Sequence, residues 1–442
     1  EISVEDNKKV LKLLELSTSD PDYELECIVG NMNNDFVNRE EFVNILKRFK
    51  GKKKYSRMTS NSSLSIYLSN DKSFSNFNSK ISRVVLSGNG LINMYNSTNK
   101  LNNIVNNVVF ERKYFDANKS RREANKLANN DYNIRFNLKT EEQIDNNSDV
   151  VSDLLREWSR IPKYFRRKQT FTFYHEDDDF KIDISIISQN KPNQYVQTLK
   201  ESGVLNNQNV SYEVEVEYIG NKKPNIQSKF TINSSISTKD NQKAKLKEEV
   251  ELYKNSVLDT YLEIITSVLQ ARQQSLYLMT NSERSKVMEK MTNLIKNRSD
   301  NYFPLVVDLT RSNCIKLPLN NYNNKDYPPN IRMDYAVTDK ADGFRKLLFI
   351  NNTGKCYLKS REGKTDDKYA FRYTGTIIKE YAYSIFDGEL IEQTLDGKYT
   401  QNFYIFDAYA VKGASMIDKP FGESKNPEGR YFHIIEFEKY FN

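Results

Sequence analysis

The sequence predicts an α+β protein. An antiparallel β-barrel with flanking helices should span residues 1–236, a helical connector 237–300, and a second domain of antiparallel sheets and helices 301–442. Three observations lead there. Between residues 55 and 236, segment after segment alternates apolar and polar residues with a period of two, with turn residues between them. From about residue 238 the period lengthens to that of helices. After Pro304 the strand pattern returns. A chain of 442 residues also exceeds one ordinary core and fits two or three domains.

Each element has its own signal. "EDNKKVLKLLEL" opens a helix, apolar at Val10, Leu11, Leu13 and Leu14. "NREEFVNILKRF" is a second helix, with Asn38 as N-cap and Glu41 three residues on, the pair a capping box needs. "SLSIYLS", "SRVVLSG", "NIRFNLK", "TFTFYHE", "FKIDISII" and "YEVEVEYI" read as strands, interrupted by one helix, "SDVVSDLLREWSRI". In the connector, Leu246, Val250, Val257, Tyr261, Ile264 and Val268 fall at helical spacing, and "SERSKVMEKMTNLIKN" is a further helix.

Composition narrows the chemistry. Hydrophobic residues at 38% and aromatics at 12% are enough to build cores. Lys+Arg at 66 against Asp+Glu at 59 gives +7, which permits a phosphate-rich partner without demanding one. Cys27, Cys314 and Cys356 are too far apart for a metal pattern or a disulfide framework, which points to a reducing compartment. With only His175 and His433, histidine triads and His-rich metal sites are not expected. No apolar run approaches the roughly 20 residues of a membrane span, and no secretory signal opens the sequence, so no membrane partner is expected.

Two constellations carry chemistry. The first is "YAVTDKADGFRKLLFI", residues 335–350, with Lys340, Asp342, Gly343 and Arg345 beside the apolar run Leu347–Ile350. Buried lysine is costly, so a lysine beside an expected buried strand asks for a reason. "IFDGELIE" comes next with Asp387, Gly388 and Glu389, and then "FYIFDAYAVKG" with Phe406. This ordered set resembles the covalent nucleotidyltransferases, the superfamily of mRNA guanylyltransferases and polynucleotide ligases. The resemblance implies that Lys340 attacks the α-phosphate of a nucleoside triphosphate and holds the nucleotide as a phosphoamide. A lysine must be neutral to attack, yet its free pKa is about 10.4, so desolvation and nearby cations have work to do. It further implies that Arg345 faces a phosphate or the nucleotide, with Asp342 and Gly343 beside it in the nucleotide site. Glu389 would contact the ribose or a metal, Phe406 would stack on the base, and Arg361 of "KSREGK" would contact the nucleotide or substrate strand. The family's later motifs are not found after Glu389, so 301–442 is expected to hold the N-terminal part of that domain.

The second constellation is a pair of glutamate strands. "DYELECIVG" puts Glu24 and Glu26 on one face, and "SYEVEVEYIG" does so for Glu213, Glu215 and Glu217. Alternate residues repeat every ~6.6–6.8 Å, so such rows repel unless cations relieve them. If the two strands pair, the five carboxylates could converge on a hard divalent cation, Mg²⁺ or Mn²⁺. Basic strands lie between: Arg83 in "SRVVLSG", Arg112 or Lys113 in "ERKYF", and Arg135, Lys139 and Glu141 (or Glu142) in "IRFNLKTEE". Arg166, Lys168 and Thr170 share a face in "FRRKQTF", as do Lys181 and Asp183 in "FKIDIS". Acid and base alternating across many strands suggest a closed barrel with a polar lumen, suited to a triphosphate.

This set resembles the tunnel-type, metal-dependent RNA triphosphatases, across roughly residues 23–219. The resemblance implies catalytic roles for Arg83, Lys113, Arg135, Lys139, Glu141, Arg166, Lys168 and Asp183, and metal ligation by Glu24, Glu26, Glu213, Glu215 and Glu217. A triphosphatase and then a KxDG domain is the order in the capping enzymes of poxviruses, giant viruses and other large nucleocytoplasmic DNA viruses. That order implies γ-phosphate removal from the 5′-triphosphate end of nascent mRNA, then GMP transfer from GTP through a lysyl-GMP intermediate. A methyltransferase domain or stimulatory subunit would be a partner, and the setting a cytoplasmic viral factory or the virion. The rival expectations are an ATP-dependent polynucleotide ligase, which leaves the glutamate strands unexplained, and a non-catalytic RNA-binding module, against which the intact acidic and basic rows speak.

Overall fold

The computed structural model describes residues 3–30, 32, 35–69, 77, 80–114, 125–206, 210–224, 226–230, 240–295, 308–317, 330–332, 335–360 and 371–440. The chain divides into two compact units, Glu1–Gln274 and Ser275–Asn442.

The strands of the first unit are β1 (Tyr23–Val29), β2 (Arg57–Leu68), β3 (Arg83–Ser87), β4 (Val108–Tyr114), β5 (Lys126–Asn129), β6 (Ile134–Ile144), β7 (Lys163–Tyr174), β8 (Phe180–Gln189) and β9 (Val210–Tyr218). They run β1-β9-β8-β7-β2-β3-β4-β6, and β6 pairs back onto β1. An antiparallel barrel of eight strands is thereby closed, while β5 pairs with the N-terminal half of β6. Closure removes sheet edges, and strict alternation gives each strand an outer and an inner row.

The outer rows are apolar and lie under helices on two sides. Helices α3 (Asn89–Thr98) and α4 (Asp149–Glu157) cover one side, in a core that holds Leu64, Ile66, Leu86, Tyr95, Leu154 and Phe165. The other side is covered by α1 (Val4–Ser17), α2 (Arg39–Phe49) and the long α5 (Asp240–Gln273). The capping box of α2 forms: the Asn38 side chain accepts from the Glu41 N–H at 2.9 Å, and the Glu41 carboxylate accepts from the Asn38 N–H at 3.0 Å. Buried Tyr261 of α5 sits 5.7 Å from Phe136 and 5.1 Å from Phe180, ring to ring. Its hydroxyl donates to the Val216 carbonyl at 3.0 Å. Near the end of α5, buried Arg272 pairs with Asp35 at 2.9 Å and Glu41 at 3.2 Å.

Here the structure differs from the connector expected over 237–300. The apolar face of α5 (Tyr261, Ile264, Ile265, Val268 and Leu269) is buried, and the helix belongs to the barrel unit, which ends at Gln274. Helical spacing reveals an apolar stripe but not the surface that stripe will cover.

In the second unit, α6 (Asn281–Ile295) precedes the strands β10 (Phe344–Ile350), β11 (Lys355–Ser360), β12 (Phe371–Ile377), β13 (Ser384–Gln393), β14 (Tyr399–Val411) and β15 (Ala414–Ser415), and α7 (Arg430–Lys439) comes after them. The sheet runs β12-β11-β10-β13-β14-β15, antiparallel throughout. Leu348, Ile350, Leu358 and Phe386 join Ile434 and Phe437 of α7 in one core. Leu347, Phe349, Tyr357 and Ile385 join Val287 and Met291 of α6 in another. With both faces covered, the unbroken apolar run Leu347–Ile350 suits a strand buried on both sides.

Candidate functional site

The barrel lumen is built by register. On the β1–β9 ladder Glu26 lies opposite Glu217, and on the β1–β6 ladder Glu24 opposite Lys139 and Glu26 opposite Asn137. On β8–β9, Lys181 faces Glu217, Asp183 faces Glu215 and Ser185 faces Glu213. On β7–β8, Thr170 faces Ser185 and Thr172 faces Asp183. The two glutamate strands expected from sequence are therefore neighbours, at the seam where the barrel closes.

Side chains then tie the rows together. Arg166 pairs with Glu213 at 2.6 Å, and Lys168 with Glu215 at 2.6 Å and Glu213 at 3.4 Å. Lys181 pairs with Glu217 at 2.7 Å and Asp183 at 3.4 Å. Glu26, only 4% exposed, accepts from Lys139 and from the Asn137 amide. Arg83 pairs with Glu111 and, at 3.0 Å, with Glu141. Burial opposes the charge on Lys168 and Lys181, but their glutamate partners outweigh it and hold both ammonium groups above the usual lysine range. Burial raises the Glu217 carboxyl to about 7; Lys181 opposes the rise and Glu24 adds to it.

The predicted lumen residues Arg83, Arg135, Lys139, Glu141, Arg166, Lys168 and Asp183 share the inner rows of their strands with these pairs. Register also resolves two alternatives. Lys113 lies opposite Glu141 in the β4–β6 ladder, and Arg112 lies opposite Glu142 on the outer row, where Arg112 is exposed. The side chain of Lys113 lies outside the described residues. Sequence reading missed Glu111 and Asn137, although each sits two residues from a predicted cation on its own strand. Such a period-two neighbour was the available signal.

The five glutamates do not converge on one point. Glu26, Glu213, Glu215 and Glu217 divide among these ion pairs, and among the described residues no group of three or more His, Cys, Asp or Glu side chains is placed to hold a metal ion. Their donor chemistry nonetheless fits a hard divalent cation. Glu26 and Glu217 are opposed carboxylates, with Glu24 close enough to raise the Glu217 carboxyl.

The second unit assembles the KxDG segment against β13. Residues 335–342 precede β10 without regular structure, so Lys340 does not lie in a buried strand. Lys340 and Asp342 are exposed, as is Val337 at 97%. The strand begins at Phe344, and Gly343 just before it passes close against β13. A Cβ on Gly343 would meet the Leu390 carbonyl oxygen at 2.4 Å, and its N–H donates to Glu389 at 3.2 Å. Gly388 is equally constrained: a Cβ there would meet the Tyr404 carbonyl oxygen at 2.5 Å.

Arg345 forms a two-pronged pair with fully buried Asp387, at 3.1 and 2.5 Å, and Tyr409 donates its hydroxyl to the same carboxylate. The guanidinium lies 5.6 Å from the Phe406 ring centroid. Arg345, Glu389 and Phe406 are thus brought together, and Asp387 and Tyr409 fix the arginine from behind. Arg361 lies outside the described residues.

Fold and sites define a chain with two chemical units, a barrel with an acid–base lumen and a sheet presenting a lysine segment beside an anchored arginine. Residues 330–432 match the family "mRNA capping enzyme, catalytic domain", which places such a domain in the second unit. No curated protein matches. Among solved structures, the RNA triphosphatase domain of a mimivirus mRNA capping enzyme is 14% identical, with a TM-score of 0.35 over 57% of this chain and 100% of that one. The S. pombe Pct1 RNA triphosphatase is 13% identical, with a TM-score of 0.33 over 61% and 95%.

Proposed function

We propose that the chain is an mRNA capping enzyme with two activities. The barrel releases the γ-phosphate from 5′-triphosphate RNA, and the second unit transfers GMP from GTP to the resulting diphosphate end through Lys340. The observation that carries the first activity is the closed lumen, in which Arg166, Lys168, Lys181, Lys139 and Arg83 are all held against carboxylates. A lumen so arranged can exchange carboxylate for phosphate oxygen at each cation with little reorganisation. The glutamates so released, Glu26, Glu215 and Glu217 foremost with Glu24 and Glu213 flanking, would hold Mg²⁺ or Mn²⁺. When bound, that cation supplies Lewis-acid polarisation of the phosphate oxygens. Asp183, beside Glu215, and Glu141, beside Arg83, are the carboxylates left to orient water. Water attacks the γ-phosphorus, the bond to the bridging oxygen breaks, and inorganic phosphate leaves.

The capping-family match over 330–432 supports the second activity and favours GTP over the ATP of a ligase. The Lys340 amine bonds to the α-phosphorus and pyrophosphate leaves; the diphosphate end of the RNA then takes GMP from the lysine. Arg345, held by Asp387, meets phosphate, and Phe406 offers a ring to the base.

The test is release of labelled γ-phosphate from 5′-triphosphate RNA with Mg²⁺ or Mn²⁺ and with chelator, beside denaturing electrophoresis after incubation with α-labelled GTP. Metal-dependent release and a GTP-derived adduct support the reading. Labelling by ATP alone would return the ligase, and neither activity would leave a binding module.

A further inference from the structure

Beyond Arg166, the inner row of β7 continues to Tyr164, which the β2–β7 ladder places opposite Tyr67, the inner-row residue of β2 beyond Ser65. The two rings lie 6.2 Å apart, centroid to centroid, at 65°. Tyr195, from the segment after β8, adds a third ring 6.1 Å from Tyr164 at 59°. All three are part-buried, and neither the edge-on Tyr67–Tyr164 pair nor the tilted Tyr164–Tyr195 pair is a face-to-face stack. Tyr164 is fixed by donating its hydroxyl to the Asn190 carbonyl at 3.1 Å. Tyr67 also lies within electrostatic range of Arg83 and Arg166. A polar cavity of about 570 Å³ is lined by Gln189, Lys191, Asn193, Gln194, Glu201 and Ser202, and Gln194 directly precedes Tyr195 in the chain. Gln189, one of its lining residues, is the register partner of Arg166 in the β7–β8 ladder.

We infer that Tyr67, Tyr164 and Tyr195 form a base-stacking subsite at one mouth of the barrel, which holds the first nucleotides of a triphosphate-ended RNA. Arg83 and Arg166 stand between this subsite and the deeper cations. The inference rests on the proposed lumen chemistry and adds which part of the substrate lies at this mouth. Aromatic rings stack on any base, and the cavity is large enough for one nucleotide. Its amide, hydroxyl and lysine groups suit sugar and phosphate, so binding should be tolerant of sequence. The opposite mouth would then receive the γ-phosphate end, where Lys181, Glu217, Glu26 and Lys139 lie.

The test uses the full chain on two substrates, 5′-triphosphate RNA and inorganic tripolyphosphate, which has no base. Tyr164→Ala and Tyr67→Ala should each raise KM for the RNA roughly tenfold, the loss expected from removing one stacked base. Both should leave tripolyphosphate turnover within about twofold, which also reports that the barrel is folded. Tyr164→Phe keeps the ring and should restore RNA KM. Equal losses on both substrates would make the tyrosines structural, and unchanged RNA KM would put the nucleotide elsewhere; either overturns the subsite. If the unmodified chain hydrolyses tripolyphosphate but the alanine variants lose nothing on RNA, the lumen reading survives and only this inference fails. If it hydrolyses neither substrate, the lumen reading itself falls and takes the subsite with it.

Discussion

Tyr261 of α5 donates its hydroxyl to the backbone carbonyl of Val216, 3.0 Å away, and Val216 stands between Glu215 and Glu217 on β9. A helix outside the barrel thus holds the outer side of the strand whose inner row carries three glutamates. Tyr261→Phe would keep the ring packing on Phe136 and Phe180 and leave that carbonyl without its donor. The expected loss is about 1 kcal/mol, which lowers Tm by about 2–4 °C in a unit of this size. Truncation before Asp240 would expose the β1, β6, β8 and β9 surface under α5 and is expected to yield insoluble protein. A soluble, active barrel ending near residue 236 would show that α5 is dispensable.

The Arg345–Asp387 pair yields a prediction for the second unit. Asp387 is fully buried and Arg345 part-exposed, so Asp387→Ala leaves a partly solvated guanidinium uncompensated and should cost about 1–3 kcal/mol. Asp387→Asn keeps the volume, should cost less, and should still impair GMP transfer by loosening Arg345. Thermal denaturation beside an adduct assay separates the two effects. Gly343→Ala should lose the adduct as well, because the added methyl meets the Leu390 carbonyl oxygen.

Lys163 gives a pH dependence away from either site. Its ammonium is buried under the Trp158 and Ile161 carbonyls at 2.5 and 2.6 Å, and burial lowers it to about 8. A lysine depressed in the fold contributes stability that is present above its unfolded pKa of about 10.4 and is lost as pH falls through about 8. Stability contributed by Lys163 should therefore rise between about pH 8 and pH 10.4, by at most about 3 kcal/mol. Urea titrations of the native chain and Lys163→Met across that range should diverge with pH; parallel curves would contradict the shift.

Much of this architecture was legible in the sequence because strand periodicity and charge periodicity coincide. "YEVEVEY" assigns Glu213, Glu215 and Glu217 to one row whatever the partner strand. "FRRKQTF" and "FKIDIS" do the same for Arg166, Lys168, Lys181 and Asp183. Periodicity cannot supply pairing. That Glu26 opposes Glu217, that each glutamate row is met by lysines, and that Lys113 rather than Arg112 takes the inner row all depend on register. The tyrosine mouth was hidden for the same reason: Tyr67 and Tyr164 are 97 residues apart and read as ordinary strand aromatics until β2 and β7 pair. Lys340 was expected beside a buried strand and does precede β10 with its buried Leu347–Ile350; that the lysine itself is exposed was not legible.

The lumen cations yield a graded series. Arg166→Ala and Lys168→Ala each remove one phosphate-directed charge while leaving Glu213 or Glu215 less compensated. Single preorganised donors of this kind are often worth ~100-fold or more in kcat. Steady-state phosphate release should show that loss in kcat beyond any change in KM; a loss in KM alone would make them binding groups.

Two separate sites are tested most directly by γ-phosphate release from 5′-triphosphate RNA by the native chain, Glu215→Ala and Lys340→Ala, side by side with Mn²⁺ or Mg²⁺. Glu215 lies on the inner row between Glu213 and Glu217 and is paired with Lys168, whereas Lys340 is exposed in the other unit. Glu215→Ala should abolish release, and Lys340→Ala should release phosphate at the native rate. Full release by Glu215→Ala, or loss of release in Lys340→Ala, would contradict a triphosphatase site confined to the barrel.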